Sequence, residues 1–133
     1  MKKYTFPAVF AQDGEAFSVS FPDLPSVLTS GQNLAEAIEM AEDALCLMLH
    51  DMEINGWPVP SPSALESIKT KKNEFAQYVV TDTKFYHDYF ANLSVRKNVT
   101  IPSYLNALAE KQRVNFSSVL QDALREHLGV NVV

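Results

Sequence analysis

The segment SVRKNVTIPSYL, residues 94–105, decides the fold of the C-terminal part of the chain. Polar and apolar residues alternate in its first half, and this period of two predicts a β-strand with one apolar and one polar face. The apolar face carries Val95, Val99 and Ile101, interrupted by Lys97, and the polar face carries Arg96, Asn98 and Thr100. Pro102 then suits the first turn of a helix, where its missing N–H has no intrahelical partner to lose. The segment therefore predicts a strand that runs directly into a helix.

Two helices are predicted after this strand, separated by a turn at residues 112–114. The apolar positions are Leu105, Leu108 and Ala109 in the first helix and Phe116, Leu120, Ala123, Leu124 and Leu128 in the second. Asn115 is the preferred N-cap of the second helix, although Ser117 or Ser118 would also serve. Gly129 is expected to end it.

A lone strand with two short helices has no partner for its backbone groups and too little core to fold alone. Two copies remove both problems, because their strands can pair as an antiparallel ribbon whose apolar face is buried by the four helices. The polar face then points outward, and a two-stranded ribbon fits the major groove of DNA. Arginine can donate there to guanine, and asparagine can pair with adenine. We therefore expect residues 94–133 to form a homodimer that reads bases with Arg96, Asn98 and Thr100.

The charge is divided unevenly along a chain whose net charge is −5. Residues 94–133 contain five basic and three acidic residues, a net charge of +2, so residues 1–93 carry −7. Six of the acidic residues lie between positions 34 and 54, a stretch that contains no lysine or arginine. Opposite charges in two segments indicate two different partners.

Residues 1–83 are predicted to form an α+β domain built on a small antiparallel sheet. The predicted strands are residues 3–11, 16–21, 26–29 and 75–81, the first two paired across a turn at residues 12–15. Asn33 followed by Glu36 fits the start of a helix that ends near Gly56. The expected apolar stripe of this helix is Leu34, Ile38, Ala41, Leu45, Met48 and Met52.

Two segments connect these predicted parts. Residues 56–63, GWPVPSPS, are expected to form an extended loop, because three prolines exclude both a helix and a sheet ladder. Residues 84–93 are interpreted as the connection to the C-terminal domain. If this connection is helical, Phe85 lies beside Tyr89 and Tyr86 beside Phe90, and the segment docks rather than hangs free.

The composition, 47% hydrophobic and 20% charged, indicates a folded and soluble protein. No run of about 18 apolar residues offers a membrane span, and polar residues interrupt the N-terminal stretch too early for a signal peptide. The single cysteine, Cys46, lies in an apolar helical pattern and is interpreted as a small buried residue in a reducing compartment. We therefore expect a cytoplasmic protein without a membrane partner.

These residues resemble one known family over nearly the whole chain. VRKNVTIP followed by VNFSSVLQDAL resembles the ribbon-helix-helix DNA-binding domain. YTFPAVF, SVSFPDLPSVLTSG and the acidic helix after them resemble the HicB antitoxins. The resemblance implies a partial ribonuclease-H-like fold for the N-terminal domain, followed by a dimeric ribbon-helix-helix domain.

The resemblance also implies partners and contacts. The N-terminal domain would bind and neutralise a HicA-like toxin that cleaves mRNA. The C-terminal homodimer, alone or within a higher oligomer, would bind operator double-stranded DNA and repress its own operon. Arg96, Asn98 and Thr100 match the family's base-reading positions, and the start of the last helix matches its phosphate-binding position. The expected phosphate contacts are Lys97, Asn115, Phe116, Ser117 and Ser118.

One turn departs from the family pattern. The turn between the two C-terminal helices often contains a glycine where this chain has Arg113. Either Gln112 or Arg113 is expected to adopt the left-handed conformation, at a cost of roughly 1 kcal/mol, or else the turn is built differently. Many HicB relatives end instead in a helix-turn-helix, but the strand-then-proline pattern favours the ribbon.

An acidic surface is the simplest inhibitor of a toxin that must attract RNA phosphates. We expect this surface to come from the SFPDLP turn, residues 20–25, and from the acidic helix. The alternative is that the charged face of the helix is an ordinary solvated surface. The residues expected to bind the toxin are Phe21, Asp23, Leu24, Glu36, Glu39, Glu42 and Asp43.

Catalysis is not expected from this sequence. An active ribonuclease-H-like site needs a cluster of carboxylates that bind two metal ions, whereas the early strands offer only Asp13 and Glu15 in a hairpin turn. His50, His87 and His127 are scattered without metal-ligand spacing. No nucleophile elbow or phosphate-binding loop is present. We therefore expect no catalytic residue, no metal site and no cofactor.

A second interpretation remains open at this point. The chain would then be a stand-alone ribbon-helix-helix transcriptional regulator whose N-terminal domain senses a small ligand. A short basic reading frame beside the gene would favour the antitoxin, and its absence would favour the sensor.

Overall fold

The computed structural model describes residues 2–91 and 94–130 and divides the chain into two compact units, Met1–Ser94 and Val95–Val133. Residues 92–93 of the predicted connection and residues 131–133 of the predicted C-terminal domain lie outside the described residues. The first unit contains β1 (Lys3–Asp13), β2 (Ala16–Ser20), β3 (Leu28–Gly31), α1 (Leu34–Asn55), a short 3-10 helix (Leu65–Ser67), β4 (Glu74–Asp82) and α2 (Thr83–Phe90). The second contains α3 (Ser103–Lys111) and α4 (Phe116–Leu128).

The four strands form one antiparallel sheet in the order β3-β2-β1-β4. Alternation along β1 directs Phe6, Ala8 and Phe10 to the same face, where they join Val19 and Val79 in the core with α1. The first hairpin is tighter than predicted, since β1 continues to Asp13 and leaves only two residues in the turn. The first unit is therefore α+β with a small antiparallel sheet.

The third strand begins two residues later than predicted. Two successive turns come first, because the N–H of Leu24 donates to the carbonyl of Phe21 at 3.0 Å and the N–H of Val27 to that of Leu24 at 2.9 Å. These bonds use the backbone that a longer strand would have needed for its ladder. As a result, β3 starts at Leu28 and has four residues.

Helix α1 begins and ends as predicted, and its predicted apolar stripe is confirmed in part, because Ala41 and Leu45 are buried and Met48 and Met52 pack against the core. The Asn33 side chain accepts a hydrogen bond from the N–H of Glu36 at 2.9 Å, and Gly56 ends the helix in the left-handed conformation. Leu34 and Ile38 are exposed, while Ala37 is fully buried. The reason is the close approach of β3, where a Cβ added at Gly31 would collide with the backbone of Ala37. Small residues are therefore required on this part of the helix.

Helix α2 packs against α1 and belongs to the first unit. Asp82 caps it by accepting hydrogen bonds from the N–H groups of Lys84 and Phe85 at 3.0 and 3.2 Å. The predicted ring neighbours are confirmed. Their ring centroids are 5.9 Å apart for Phe85 and Tyr89 and 4.7 Å apart for Tyr86 and Phe90.

The second unit contains two helices joined by a tight turn. Helix α3 starts at Ser103 and not at Pro102, whose carbonyl accepts from the N–H groups of Leu105 and Asn106. Arg113 adopts the left-handed conformation with φ 55°, which decides the turn that the sequence left open. Asn115 caps α4 through a 3.1 Å bond from the N–H of Ser118, and Gly129 ends it.

Candidate functional site

The acidic surface of the first unit lies on the outer side of α1. Helical spacing turns Ala37, Ala41 and Leu45 toward the sheet and carries the carboxylates to the opposite side. Of the predicted toxin contacts on this helix, Glu36 is half-buried, and Glu39, Glu42 and Asp43 are exposed. The structure thus brings four acidic side chains onto one accessible surface.

A groove of about 670 Å³ runs beside this surface, between α1, the end of β4 and α2. Its walls are apolar and aromatic, and its rim is acidic. The apolar lining includes Leu47, Val80, Phe85, Tyr86, Tyr89 and Phe90, and the rim carries Glu42, Asp43 and Asp82. Phe85, Tyr89 and Phe90 are each about two-thirds exposed, so α2 presents rings to solvent. Nothing in the sequence pattern alone predicted this groove, because it needs three elements to meet.

Cys46 lies among the groove residues and is buried, as the sequence predicted. Burial raises the pKa of its thiol, the neighbouring Asp43 and Asp82 carboxylates add to this effect, and a hydrogen bond with Thr81 opposes it. The side chain is therefore a neutral thiol near pH 7. It supports the groove as a small apolar residue.

Two of the three histidines meet in space, although their positions in the sequence did not predict it. Nε2 of His50 on α1 lies 3.3 Å from Nδ1 of His87 on α2, and the His50 ring lies 4.9 Å from that of Tyr86. Across the described residues, no group of three His, Cys, Asp or Glu side chains is placed to hold a metal ion. The pair instead links the two helices. The sequence showed one histidine in each of two segments, but it did not show that these segments pack together.

The SFPDLP turn has a structural role that the prediction for Phe21, Asp23 and Leu24 did not include. Phe21 and Leu24 are 1% and 5% exposed, so their side chains belong to the core and cannot contact a partner in this conformation. The Asp23 carboxylate accepts from the N–H and the hydroxyl of Ser63 at 2.9 and 2.5 Å. It therefore holds the extended loop, residues 56–63, against the turn. The acidic helix remains the accessible part of the predicted toxin surface.

In the second unit, the residues predicted to contact DNA are all exposed. Arg96, Asn98 and Thr100 lie in a segment without hydrogen-bonded strand partners, and Lys97 lies beside them. The apolar residues of this unit are equally exposed, with Val95 at 76% and Val99 at 67%. None of the described residues 95–130 is buried. One copy of this unit thus leaves most of its apolar side chains exposed.

The start of α4 forms the second polar feature of this unit. The side chain of Asn115 accepts a hydrogen bond from the N–H of Ser118. The N–H groups of Phe116 and Ser117 also lie in the first turn, where no carbonyl of the helix can accept from them. Such a helix start is suited to an anion. All four residues from Asn115 to Ser118 are exposed.

Comparison with known proteins places the chain in a family. A family model described as a HicB-like antitoxin of bacterial toxin–antitoxin systems matches residues 6–123. The chain belongs to the HicB-like antitoxin family. Antitoxin HicB 2 of Photorhabdus laumondii subsp. laumondii is 36% identical over 62 residues, which cover 47% of this chain and 45% of that protein. The chain thus spans less than half the length of this relative.

Solved structures of HicB-like antitoxins and their complexes are also similar. A chain in a toxin–antitoxin complex from Streptococcus pneumoniae is 26% identical, with a TM-score of 0.59 over 94% of this chain and 99% of that chain. The Burkholderia pseudomallei antitoxin HicB is 23% identical, with a TM-score of 0.50 over 99% and 100% of the two chains, and shares the fold. These findings support an antitoxin role within a toxin–antitoxin system. Within the described residues, no helix has the length and apolar character needed to cross a membrane.

Proposed function

We propose that this HicB-like antitoxin neutralises a HicA-like mRNA-cleaving toxin and represses its own operon by binding operator DNA. The observation that carries the proposal is the separation of two accessible surfaces of different chemistry. An acidic helix face lies in the first unit, and an exposed polar segment followed by a capped helix lies in the second. Each surface matches a partner of complementary charge.

The toxin surface in this proposal consists of the α1 carboxylates Glu36, Glu39, Glu42 and Asp43. A nuclease that binds RNA needs a basic active face, so these side chains are suited to cover it and to speed its capture. Phe21 and Leu24 are part of the core and Asp23 binds Ser63, so these three residues stabilise the fold of the first unit and do not contact the toxin.

The DNA surface in this proposal forms when two copies of residues 95–101 pair as an antiparallel ribbon. Pairing would supply the backbone partners that one copy lacks, and the helices would then bury Val95, Val99 and Ile101. Arg96, Asn98 and Thr100 would face the bases, and the start of α4 would bind phosphates. This homodimer explains why no described residue of the isolated unit is buried.

Operator binding by base-contact variants tests the DNA part of the proposal. Arg96→Ala should weaken binding to the chain's own promoter by roughly 1–3 kcal/mol and relax discrimination at one base position. Lys97→Ala is the matched control, and it should reduce binding less and to similar extents on specific and random DNA. Electrophoretic titration with both DNAs measures the difference. Equal losses on both DNAs for Arg96→Ala would contradict base reading.

A ligand-sensing regulator is the second candidate, and the groove beside α1 is the observation that favours it. An open apolar space of this size with an acidic rim is suited to a small cationic ligand. Co-expression with the neighbouring small protein separates the candidates. Copurification and rescue of growth support the antitoxin, whereas a lack of binding with retained operator affinity supports the sensor.

A further inference from the structure

A contact between two histidines joins α1 to α2, and neither the toxin surface nor the DNA surface uses it. Nε2 of His50 lies 3.3 Å from Nδ1 of His87, and the His50 ring also packs against that of Tyr86, with centroids 4.9 Å apart. Both histidine side chains are half-buried. Histidine ordinarily changes its charge between about pH 5 and 8, so a contact made of two histidines can respond to mild acid.

The hydrogen bond between the two rings depends on their protonation. One facing nitrogen has to carry a hydrogen, and the other has to offer a lone pair. This condition is met when both rings are neutral, and also when only one of them is charged. When both rings are charged, both facing nitrogens carry a hydrogen and no acceptor remains. The two like charges then face each other across the same short distance, and they repel.

The sign of the pH dependence follows from counting protons. The closed contact can accept one added proton, whereas two separated histidines can accept two. Because the open arrangement binds more protons, lowering the pH favours it. Two groups in contact titrate as a pair, so the change belongs to the pair and not to either ring alone.

The histidine pair is the group near this contact that changes charge in mild acid. Carboxylates, lysines and tyrosines ordinarily keep their charge between about pH 5.5 and 7.5. The hydrogen-bonded ion pair between Lys84 and Asp88 raises the pKa of the lysine and lowers that of the aspartate. Burial alone would raise the pKa of Glu53, but hydrogen bonds that include one with Thr83 lower it. Burial raises the pKa of the Cys46 thiol. The titratable neighbours of the pair lie on α1, on α2 and at the adjoining ends of β1 and β4: Asp43, Cys46, Asp51, Glu53, Lys84, Tyr86, Asp88, Lys2, Lys3, Tyr4 and Asp82.

Helix α2 is held by several bonds at its first turn and by few at its second. At the first turn, the N–H of Thr83 donates to the carbonyl of Lys2 at 3.0 Å, the N–H of Lys2 donates to the Thr83 hydroxyl at 3.0 Å, and Thr83 is fully buried. Among the described residues, the contact between His50 and His87 is the hydrogen bond that joins the second turn to α1. Three of the four Phe and Tyr rings of α2 are about two-thirds exposed, so they bury little area. The helix can therefore swing about its first turn when the histidine contact is lost.

The second turn of α2 forms one wall of the groove beside α1. Tyr86, Tyr89 and Phe90 line the groove from this side, and Cys46 lines it from α1. The thiol is 7% exposed while this wall is in place. Movement of the second turn away from α1 would widen the groove and expose the thiol.

We propose that His50 and His87 form a pH-sensitive latch, which holds α2 against α1 near neutral pH and releases the second turn of α2 in mild acid. Release removes the α2 wall of the groove, so the latch couples pH to the shape of this site. All the residues involved lie in the first unit. The proposal therefore does not depend on toxin binding or on operator binding.

The single cysteine of the chain measures the state of the latch. In the full chain, Cys46 is labelled with a dipyridyl disulfide, which reacts with thiols in mild acid, and the rate is divided by that of the urea-unfolded chain at the same pH. This ratio measures how often the groove opens. It should rise roughly three- to tenfold from about pH 7.5 to about pH 5.5, the change expected when one hydrogen bond is lost. An unchanged ratio would overturn the proposal.

Substitution of the two histidines separates a titrating latch from a merely structural contact. His87→Asn places an amide oxygen where Nδ1 lies, and His50→Gln places an amide group where Nε2 lies, so each variant keeps the hydrogen bond but cannot hold two charges. In both variants the ratio should stay low at both pH values. His87→Ala removes the contact and should give a high ratio at both. His127→Gln in the second unit is the matched control and should behave as the unmodified chain.

Circular dichroism at both pH values shows whether each variant stays folded, and a chelator in every buffer keeps divalent metal ions off the two ring nitrogens. If His87→Asn and His50→Gln lose protection of Cys46 on acidification by the same factor as the unmodified chain, another group controls the groove. That result would contradict the latch even though the unmodified chain responds to pH.

Discussion

At the scale of single residues, Arg113 carries an unusual backbone conformation. Its φ of 55° makes it the only non-glycine residue with positive φ in the described part of the chain. The N–H of Arg113 donates to the carbonyl of Glu110 at 3.0 Å, and the N–H of Val114 donates to that of Ala109 at 3.0 Å, so the turn keeps its hydrogen bonds. These hydrogen bonds help to offset the strain, and four residues are enough to join α3 to α4.

Arg113→Gly should stabilise the protein by up to about 1.5 kcal/mol. Removing the left-handed Cβ clash gains roughly 1–2 kcal/mol, and the greater freedom of glycine in the unfolded chain takes back about 0.5–1 kcal/mol. Gln112→Gly is the control, because Gln112 has φ −87° and gains no such relief. Urea unfolding at fixed protein concentration measures both. A lower midpoint for Arg113→Gly than for the unmodified chain would contradict this reasoning.

At the scale of the elements, the two faces of α1 have different requirements. Its inner face needs alanines, because β3 approaches closely at Gly31, and its outer face carries the carboxylates. The outer residues make no contribution to the core, so they are free to serve recognition. Glu36 and Glu39 lie toward the start of the helix, away from the groove rim at Glu42 and Asp43.

Reversing charge on α1 should slow toxin capture without changing the fold. Glu36→Lys with Glu39→Lys should lower the association rate by roughly tenfold at low salt, because electrostatic steering is lost, and the difference should shrink as salt is raised. Asp13→Lys with Glu15→Lys makes the same change of charge at the hairpin and should have a much smaller effect. Stopped-flow mixing with the toxin gives the rates. Equal rates for the two variants would mean that α1 is an ordinary solvated face.

At the scale of the whole molecule, the two units differ in how they bury apolar surface. The first unit has its own core, which includes Phe6, Phe10, Leu45 and Leu49, and should fold by itself. In the second unit, none of the described residues is buried. Its stability should therefore come from association.

Deleting residues 94–133 tests this division. The remaining fragment should stay folded, bind toxin and lose operator binding, and it should lose the dimer that the C-terminal unit forms. Light scattering and circular dichroism report mass and folding. A fragment that holds the same number of copies as the full chain would show that the C-terminal unit does not drive association.

The sequence by itself determined the order of the strands and the long helix in the first unit and of the two helices in the second, because their signals are local, whereas the strand predicted at residues 95–101 is absent from a single copy. Hydrophobic periodicity predicted α1, and short-range caps at Asn33 and Asn115 and the stop at Gly56 were confirmed since each depends on residues three or four positions apart. The tertiary structure decided what non-local packing controls: the burial of Phe21 and Leu24, the link from Asp23 to Ser63, and the His50–His87 pair. It also decided which residues of α1 face the sheet, because the close approach at Gly31 selects small side chains over large ones. Periodicity specifies that a face is apolar, but only the neighbouring elements specify which side chains fit against it.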